Sequence, residues 1–154
     1  MNMTTKFNKR ILDMLDRFSY NMYLVKRNKD IKCTCVTHET DQAKPDCPKC
    51  LGTGNKITIK KFRGASQDTQ LPPTFRSDKF VVARNFYMPI HVDLAEDDLI
   101  VDKDNPYTTI EIQELIGLEG TVPYKKASCV KKKFDATVFM KNFNSIINTK
   151  KAGA

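Results

Sequence analysis

Four of the five cysteines in this 154-residue chain lie within residues 33–50. They form a CxC pair and a CxxC pair, namely Cys33, Cys35, Cys47 and Cys50. Two short-spaced pairs can place four thiolates at the corners of a tetrahedron, which is the geometry of a closed zinc site. Ligation would offset the entropy of ordering a polar segment with little core of its own. We therefore expect one structural Zn²⁺, with no coordination position left for a catalytic water.

Two other interpretations of the cysteines stay open at this point. Cys47-Pro48-Lys49-Cys50 has the CPxC form of redox dithiols, but such a dithiol needs its first cysteine at a helix N-terminus. Gly52 and Gly54 follow closely and continue a helix poorly. The cysteines could also be reduced and inert, and His38 could replace one thiolate. The spacing favours zinc over both alternatives.

The sequence carries no signal for a membrane or for export. No apolar run approaches the roughly 18 residues of a membrane helix. Residues 1–6 lack the apolar block of a signal peptide. We expect a protein made in a reducing cytoplasm, where paired cysteines favour metal binding over disulfides. The remote Cys129 is expected to be a small apolar filler.

The net charge of +8 is unevenly distributed. Residues 1–92 and 121–154 are basic, whereas residues 93–119 carry nine acidic side chains and one lysine. A nucleic-acid binder would not usually place so dense an acidic block in its middle. The segments could be solvated faces of opposite sign. They could also be complementary surfaces between copies, acidic flank to basic flank, as in a ring.

The hydrophobic pattern predicts a mainly β (α+β) protein. Residues 5–24 have the three-to-four-residue periodicity of an amphipathic helix, and residues 135–147 predict a closing helix. Alternating segments between them predict a small antiparallel β-barrel. Those strands are expected at residues 56–62, 80–88, 98–102, 107–115 and 121–130. The resulting division is 1–30 (N-terminal helix), 31–62 (zinc-knuckle insertion), 63–78 (long loop), 79–134 (β-barrel region) and 135–154 (C-terminal helix and tail).

No catalytic motif is present. The sequence has no phosphate-binding glycine loop, no nucleophile elbow and no zincin spacing. His91 is expected to be a structural histidine. The acidic cluster Glu96-Asp97-Asp98 could hold a hard cation, although a charged turn before the next strand is the expected role. We predict that the protein is not an enzyme and binds no small-molecule substrate.

The segment from Cys47 to Gly54 resembles the CPxCxGxG knuckle of DnaJ-type chaperone zinc domains. Only one such half-motif is present, and its partner is a CxC pair. The resemblance implies a zinc knuckle and does not extend to chaperone activity.

A second resemblance covers the stretch from Phe80 to Val130. The order and spacing of its segments are similar to those of the head-closure or stopper proteins in the necks of tailed bacteriophages. Some of these proteins carry a cysteine-rich insert near the N-terminus. The segments that carry the resemblance are Phe86–Pro89, Asp97–Asp102, Pro106–Ile112 and Gly117–Lys125.

The resemblance implies a structural virion protein with a small β-barrel and flanking helices. Six or twelve copies would form a ring between portal or adaptor and tail proteins, with double-stranded DNA retained in or passing through the lumen. Loop 63–78 would be the same kind of element as the channel-facing loop of a stopper protein, without residue-by-residue correspondence. The zinc knuckle would be a projection that touches a neighbouring ring. Four cations at the loop's edges could contact phosphates non-specifically, or could be ordinary solubilising charges. They are Lys60, Lys61, Arg63 and Arg76.

Two further functions stay as alternatives. A zinc-ribbon module for nucleic-acid binding or transcription would show a contiguous basic surface and bind DNA as a monomer with a steep salt dependence. A dithiol oxidoreductase would show an acid-shifted thiolate at Cys47.

Overall fold

The computed structural model describes residues 3–70, 82–115, 124–131 and 136–152. Within these ranges the chain forms two helices and six strands. They are α1 (Met3–Phe18), β1 (Tyr20–Lys32), β2 (Asn55–Gln70), β3 (Val82–Pro89), β4 (Leu99–Asp102), β5 (Asn105–Leu115), β6 (Tyr124–Lys131) and α2 (Ala136–Ala152). Neither helix in this part of the chain has the length and apolar character needed to span a membrane.

The six strands form a closed barrel in the order β1-β2-β3-β6-β5-β4. Every neighbouring pair is antiparallel. Closure leaves the sheet without a free edge. The predicted fold class, a small antiparallel barrel with a helix at each end and a cysteine cluster, is confirmed.

The barrel interior is filled by alternate side chains of the strands. Met22 and Leu24 of β1 point inward, as does Ile100 of β4. This alternation follows from the two-residue period of a strand. Further members of the interior cluster are Phe86, Met88, Val92, Leu94, Tyr107, Ala127 and Cys129.

A second apolar cluster lies between the barrel wall and α2. Val25, Leu99 and Val101 point outward from β1 and β4, where they pack with Phe139 and Phe143 of α2. As a result β4 is buried on both faces. The helix α2 is thus an integral layer of the fold.

The N-terminal helix is shorter than predicted. The expected helix over residues 5–24 ends at Phe18, and Tyr20–Lys32 forms β1. Met22 lies four residues after Phe18 but also two residues before Leu24, so its spacing fits both periods. Pairing of this segment with β2 and β4 makes it a strand. The barrel therefore begins at Tyr20, not at residue 79, and the predicted segment boundaries at 30, 31 and 62 are wrong.

The predicted loop over residues 63–78 is also wrong in its first half. Arg63–Gln70 continues β2, and residues 71–78 lie outside the described residues. Gly64 marks the place where β2 stops pairing with Tyr20 of β1 and begins to pair with β3. A Cβ at this position would lie 2.7 Å from the carbonyl oxygen of Tyr87. The glycine therefore permits the close strand approach and does not mark a loop.

The remaining predicted elements correspond to observed ones. The strands expected from residue 80 onward appear as β3 to β6, apart from residues 80–81 and 121–123, which the structure does not describe. The strands β4 and β5 are joined by a turn at Lys103-Asp104. The closing helix α2 continues to Ala152, beyond its predicted end at residue 147.

Candidate metal centre

The cysteine cluster lies in the connection between β1 and β2. Cys33 directly follows the last residue of β1, and Gly54 directly precedes the first residue of β2. The backbone N–H of Cys33 donates to the carbonyl oxygen of Gly54 over 2.9 Å. The hairpin therefore fixes both ends of the cysteine segment.

The structure brings all four predicted ligands together. Their sulfur atoms all lie within 4.8 Å of one another. The Sγ–Sγ distance is 3.8 Å for Cys33 and Cys47 and 3.6 Å for Cys35 and Cys50. A tetrahedral centre with Zn–S bonds of about 2.3 Å has sulfur–sulfur edges of about 3.8 Å. Each of the four is a free cysteine, so the group could hold one metal ion.

The turn after the CxxC pair aims backbone N–H groups at the sulfurs. Cys47 accepts backbone hydrogen bonds from Cys50 and Lys49. Cys50 accepts them from Gly54 and Gly52. The two glycines have positive φ angles of 81° at Gly52 and 79° at Gly54. Glycine adopts this left-handed conformation without the steric penalty of a Cβ, which explains its place in the motif.

The electrostatic environment differs between the two cysteines of this pair. Burial alone would raise the pKa of Cys47, but the N–H donors of Cys50 and Lys49 outweigh it and lower the pKa to about 7. Burial raises the pKa of Cys50 to about 12. A fully thiolate cluster therefore requires a cation, and a divalent metal would displace the thiol protons.

The cysteine segment is anchored in the protein core. Leu51 is 1% exposed and packs in the cluster that contains Val25, Phe139 and Phe143. The side-chain amide of Asn142 in α2 donates to the backbone carbonyl of Asp46 over 3.1 Å. The segment is thus joined to α2 and is not an isolated excursion from the barrel.

Sequence reasoning did not identify Leu51 as the anchor. The sequence feature that could have identified it is a large apolar residue between the CxxC pair and the glycines, in an otherwise polar segment. Leu51 has a positive φ of 53°, a conformation that is unfavourable for a side chain with a Cβ. Its burial offsets this cost.

The local structure around Cys47 differs from the helix N-terminus that the redox-dithiol alternative needs. Cys47 through Cys50 lie in turns and not at the start of a helix, so no helix dipole acts on Cys47. The lowered pKa of Cys47 has its origin in backbone N–H donors instead. His38 is exposed and lies outside the sulfur cluster. Cys129 is buried in the barrel interior, as predicted.

The predicted DNA-facing residues are brought together only in part. Lys60, Lys61 and Arg63 are exposed on β2, and Arg76 lies outside the described residues. The three cations line an open groove of about 710 Å³. Two carboxylates, Asp16 and Asp93, line the same groove.

The acidic cluster before β4 has a structural role. Asp98 is 1% exposed. Its carboxylate accepts hydrogen bonds from the backbone N–H groups of Arg27 and Ala95, each over 3.0 Å. These bonds join the β3–β4 connection to β1, in agreement with the predicted charged turn. In the described part of the chain, only the four cysteines form a group with metal-ligand geometry.

Comparison with protein-family models and with curated proteins found no match for this chain.

Proposed function

We propose that this protein is a structural component of the neck of a tailed bacteriophage, a ring-forming head–tail connector of the head-closure type. The observation that supports the proposal most is the closed barrel flanked by two helices, since this is the fold that the resemblance implies. The described parts of the resembling stretch fall on β3 to β6, which are neighbours in one continuous wall of the barrel.

The proposal includes one structural Zn²⁺ per chain. Cys33, Cys35, Cys47 and Cys50 would supply four thiolates, and the sulfur separations of 3.6 Å and 3.8 Å fit a zinc tetrahedron. A metal held by four sulfurs has no position for substrate or water. Its contribution would be to fix the β1–β2 connection, and the Leu51 contact would carry that rigidity to α2.

The DNA in such a neck would be bound weakly and without sequence specificity. Lys60, Lys61 and Arg63 offer charge to phosphates, and the salt dependence of such contacts grows with the number of phosphates neutralised, which is small here. Asp16 and Asp93 in the same groove reduce its positive potential. A groove with charges of both signs would let DNA move past it and would not hold DNA tightly.

Inactivation of the gene in its phage tests the proposed function. We expect DNA-filled heads that lose their genome and fail to join tails, with both defects corrected by a plasmid-borne wild-type copy. The protein should also be present in purified wild-type virions. Infectious, tailed particles in its absence would contradict the proposal.

The zinc-ribbon alternative is distinguished by DNA binding in solution. Titration of fluorescent duplex DNA at several salt concentrations measures both affinity and the number of phosphate contacts. We expect weak binding with a small salt dependence. A monomer that binds duplex DNA tightly with a steep salt dependence would favour the alternative.

A further inference from the structure

The strand β2 pairs with its two neighbours along different halves of its length. Residues 55–64 pair with β1, whereas residues 65–70 pair with β3. The two paired stretches do not overlap, because β2 leaves β1 at Gly64 and begins to pair with β3 at the next residue. The ladder of β1 and the first half of β2 therefore extends beyond the closed part of the barrel. On the side away from β1, no described strand pairs with residues 56–63.

A groove of about 710 Å³ follows this unpaired edge of β2. Lys60 lies opposite Leu24 of β1, so its side chain is on the face that forms the barrel interior. Lys61 lies opposite Tyr23, which packs in the outer cluster, so its side chain is on the other face. Both lysines line the groove. A groove bordered by side chains from both faces of a strand runs along the edge of that strand, and we call it the β2 groove.

The far wall of the β2 groove is the connection between β3 and β4, where Pro89 and Val92 line it. This connection forms its backbone hydrogen bonds internally. The N–H of Val92 donates to Pro89 over 3.1 Å, and the N–H of Leu94 donates to Val92 over 3.0 Å. Within the described residues, no backbone hydrogen bond crosses the groove to residues 56–63. Unpaired N–H and C=O groups along a strand edge form a template for another strand.

The floor of the β2 groove is apolar. Leu24, Phe62 and Val92 line it, and all three belong to the interior cluster or pack against it. Successive side chains of a strand point to opposite faces. Every second residue of a strand added at this edge would consequently pack on the apolar floor.

The uncompensated charge in the β2 groove is positive. Lys60 and Lys61 are exposed, and neither forms an ion pair with the described residues. The two carboxylates that line the groove are already paired, Asp93 with Lys26 over 3.4 Å and Asp16 with Arg63 over 3.9 Å. Acidic side chains of an added strand would therefore meet free cations. Duplex DNA could contact the same lysines, but it would leave the backbone edge and the apolar floor without partners.

We infer that the β2 groove binds an extended segment of a partner protein, which adds a strand to the unpaired edge of β2. The segment would alternate apolar residues, which pack on the floor, with acidic residues, which face the lysines. Main-chain hydrogen bonds would supply affinity and the alternating side chains specificity. At about 3.3 Å per residue, residues 57–63 span about 20 Å and accommodate about six residues of such a segment. The inference does not depend on the proposed role in a phage neck.

Calorimetric titration of the full-length protein with the capped peptide Val-Glu-Val-Glu-Val-Glu tests the inference. We expect saturable binding that weakens about tenfold or more when lysines replace the glutamates of the peptide. A fully N-methylated peptide keeps the side chains but lacks N–H donors, and it should not bind. Hydrogen exchange should show that the bound peptide protects alternate backbone amides in residues 57–63, because alternate residues of a strand direct their N–H groups to the same edge.

Charge reversal in the groove provides a matched comparison. Lys60→Glu/Lys61→Glu should bind the glutamate peptide about tenfold more weakly than wild type and should bind the lysine peptide more tightly than wild type does. The control Lys29→Glu/Lys141→Glu changes exposed lysines on β1 and α2 and should bind both peptides like wild type. Circular dichroism checks that each variant keeps its fold, since all four lysines are exposed.

Several results would overturn the inference. Equal binding of the N-methylated peptide would show adsorption without strand addition. Protection of the same amides in the free protein would show that the chain covers the edge itself. Duplex DNA that binds at the lysines, while no peptide binds, would assign the groove to nucleic acid. Aggregation of Lys60→Ser/Lys61→Ser, with no peptide binding by wild type, would show that the lysines only shield the edge.

Two outcomes distinguish this inference from the proposed function. Peptide binding with the expected amide protection, in a protein whose absence leaves infectious tailed particles, would support the β2 groove and refute the neck role. A phage that needs the protein for tail joining, although the protein binds no peptide, would refute the β2 groove and support the neck role.

Discussion

At the scale of single residues, Arg84 organises one end of the barrel interior. Its guanidinium donates to Asp102 over 2.5 Å and to Asp68 over 2.7 Å. It also lies over the ring of Tyr107, 5.5 Å from the centroid. Asp102 is 1% exposed, and a carboxylate so deeply buried requires a cationic partner. One arginine thus joins β3 to β2 and β4.

The ion pair with Asp68 predicts a dependence of stability on pH. The hydrogen bond from Arg84, together with its positive charge, lowers the pKa of Asp68. Since this pKa is lower in the folded than in the unfolded protein, the stabilisation is present above the unfolded value of about 3.9 and is lost as pH falls through the folded value.

We therefore expect Asp68→Asn to lose more stability at pH 6 than at pH 3, relative to wild type. Urea denaturation at both pH values measures this difference. Asp104→Asn, which removes an exposed carboxylate in the β4–β5 turn, is the matched control and should change little. An equal effect of Asp68→Asn at both pH values would show that the ion pair does not contribute.

At the scale of elements, the cysteine segment and α2 form one packing unit. Leu51 packs in one cluster with Val25 of the barrel and with Phe139 and Phe143, whose rings stack. The β1–β2 connection therefore carries both the sulfur cluster and a core side chain. Loss of the proposed metal should consequently affect α2 as well as residues 33–54.

Removal of one ligand tests this coupling. Cys47→Ser should lose the metal, because three sulfurs and a weakly acidic hydroxyl hold zinc poorly. Hydrogen exchange should then accelerate in residues 33–54 and in α2, while the interior-facing residues of β3 and β6 stay protected. Cys129→Ala, at a buried cysteine outside the cluster, should retain the metal. Unchanged exchange in α2 would contradict the coupling.

Truncation of the anchor separates packing from ligation. Leu51→Ala should reduce the free energy of unfolding by about 2–5 kcal/mol, since it leaves a cavity in a well-packed cluster. The metal content should stay at the wild-type level because all four cysteines are intact. Ile90→Ala, at an exposed position, is the control for loss of an apolar side chain. A stability loss below that of the control would show that Leu51 does not anchor the segment.

The elements differ in how far the sequence predicts them. The strand β5 follows from local alternation, and the clustering of the four cysteines follows from their spacing. The boundary between α1 and β1 does not, because Phe18 and Met22 satisfy a helical spacing while Met22 and Leu24 satisfy a strand spacing. Only pairing with β2 and β4 resolves this ambiguity. Likewise, the sequence around Gly64 indicates a turn, and only the structure shows that the backbone of Tyr87 in β3 lies close to this glycine.

At the scale of the whole molecule, the two buried clusters have separate roles. The interior cluster closes the barrel, and the outer cluster fixes α2 and the cysteine segment. Outside these clusters, α1 exposes large apolar side chains, among them Met3 and Phe18.

The most direct test of the central claim is the metal content and sulfur coordination of protein purified under reducing conditions. Elemental analysis combined with X-ray absorption should give one zinc per chain, surrounded by four sulfurs at about 2.3 Å. A metal-free protein that keeps the same fold, or a bound metal with oxygen or nitrogen in its first coordination shell, would contradict the account.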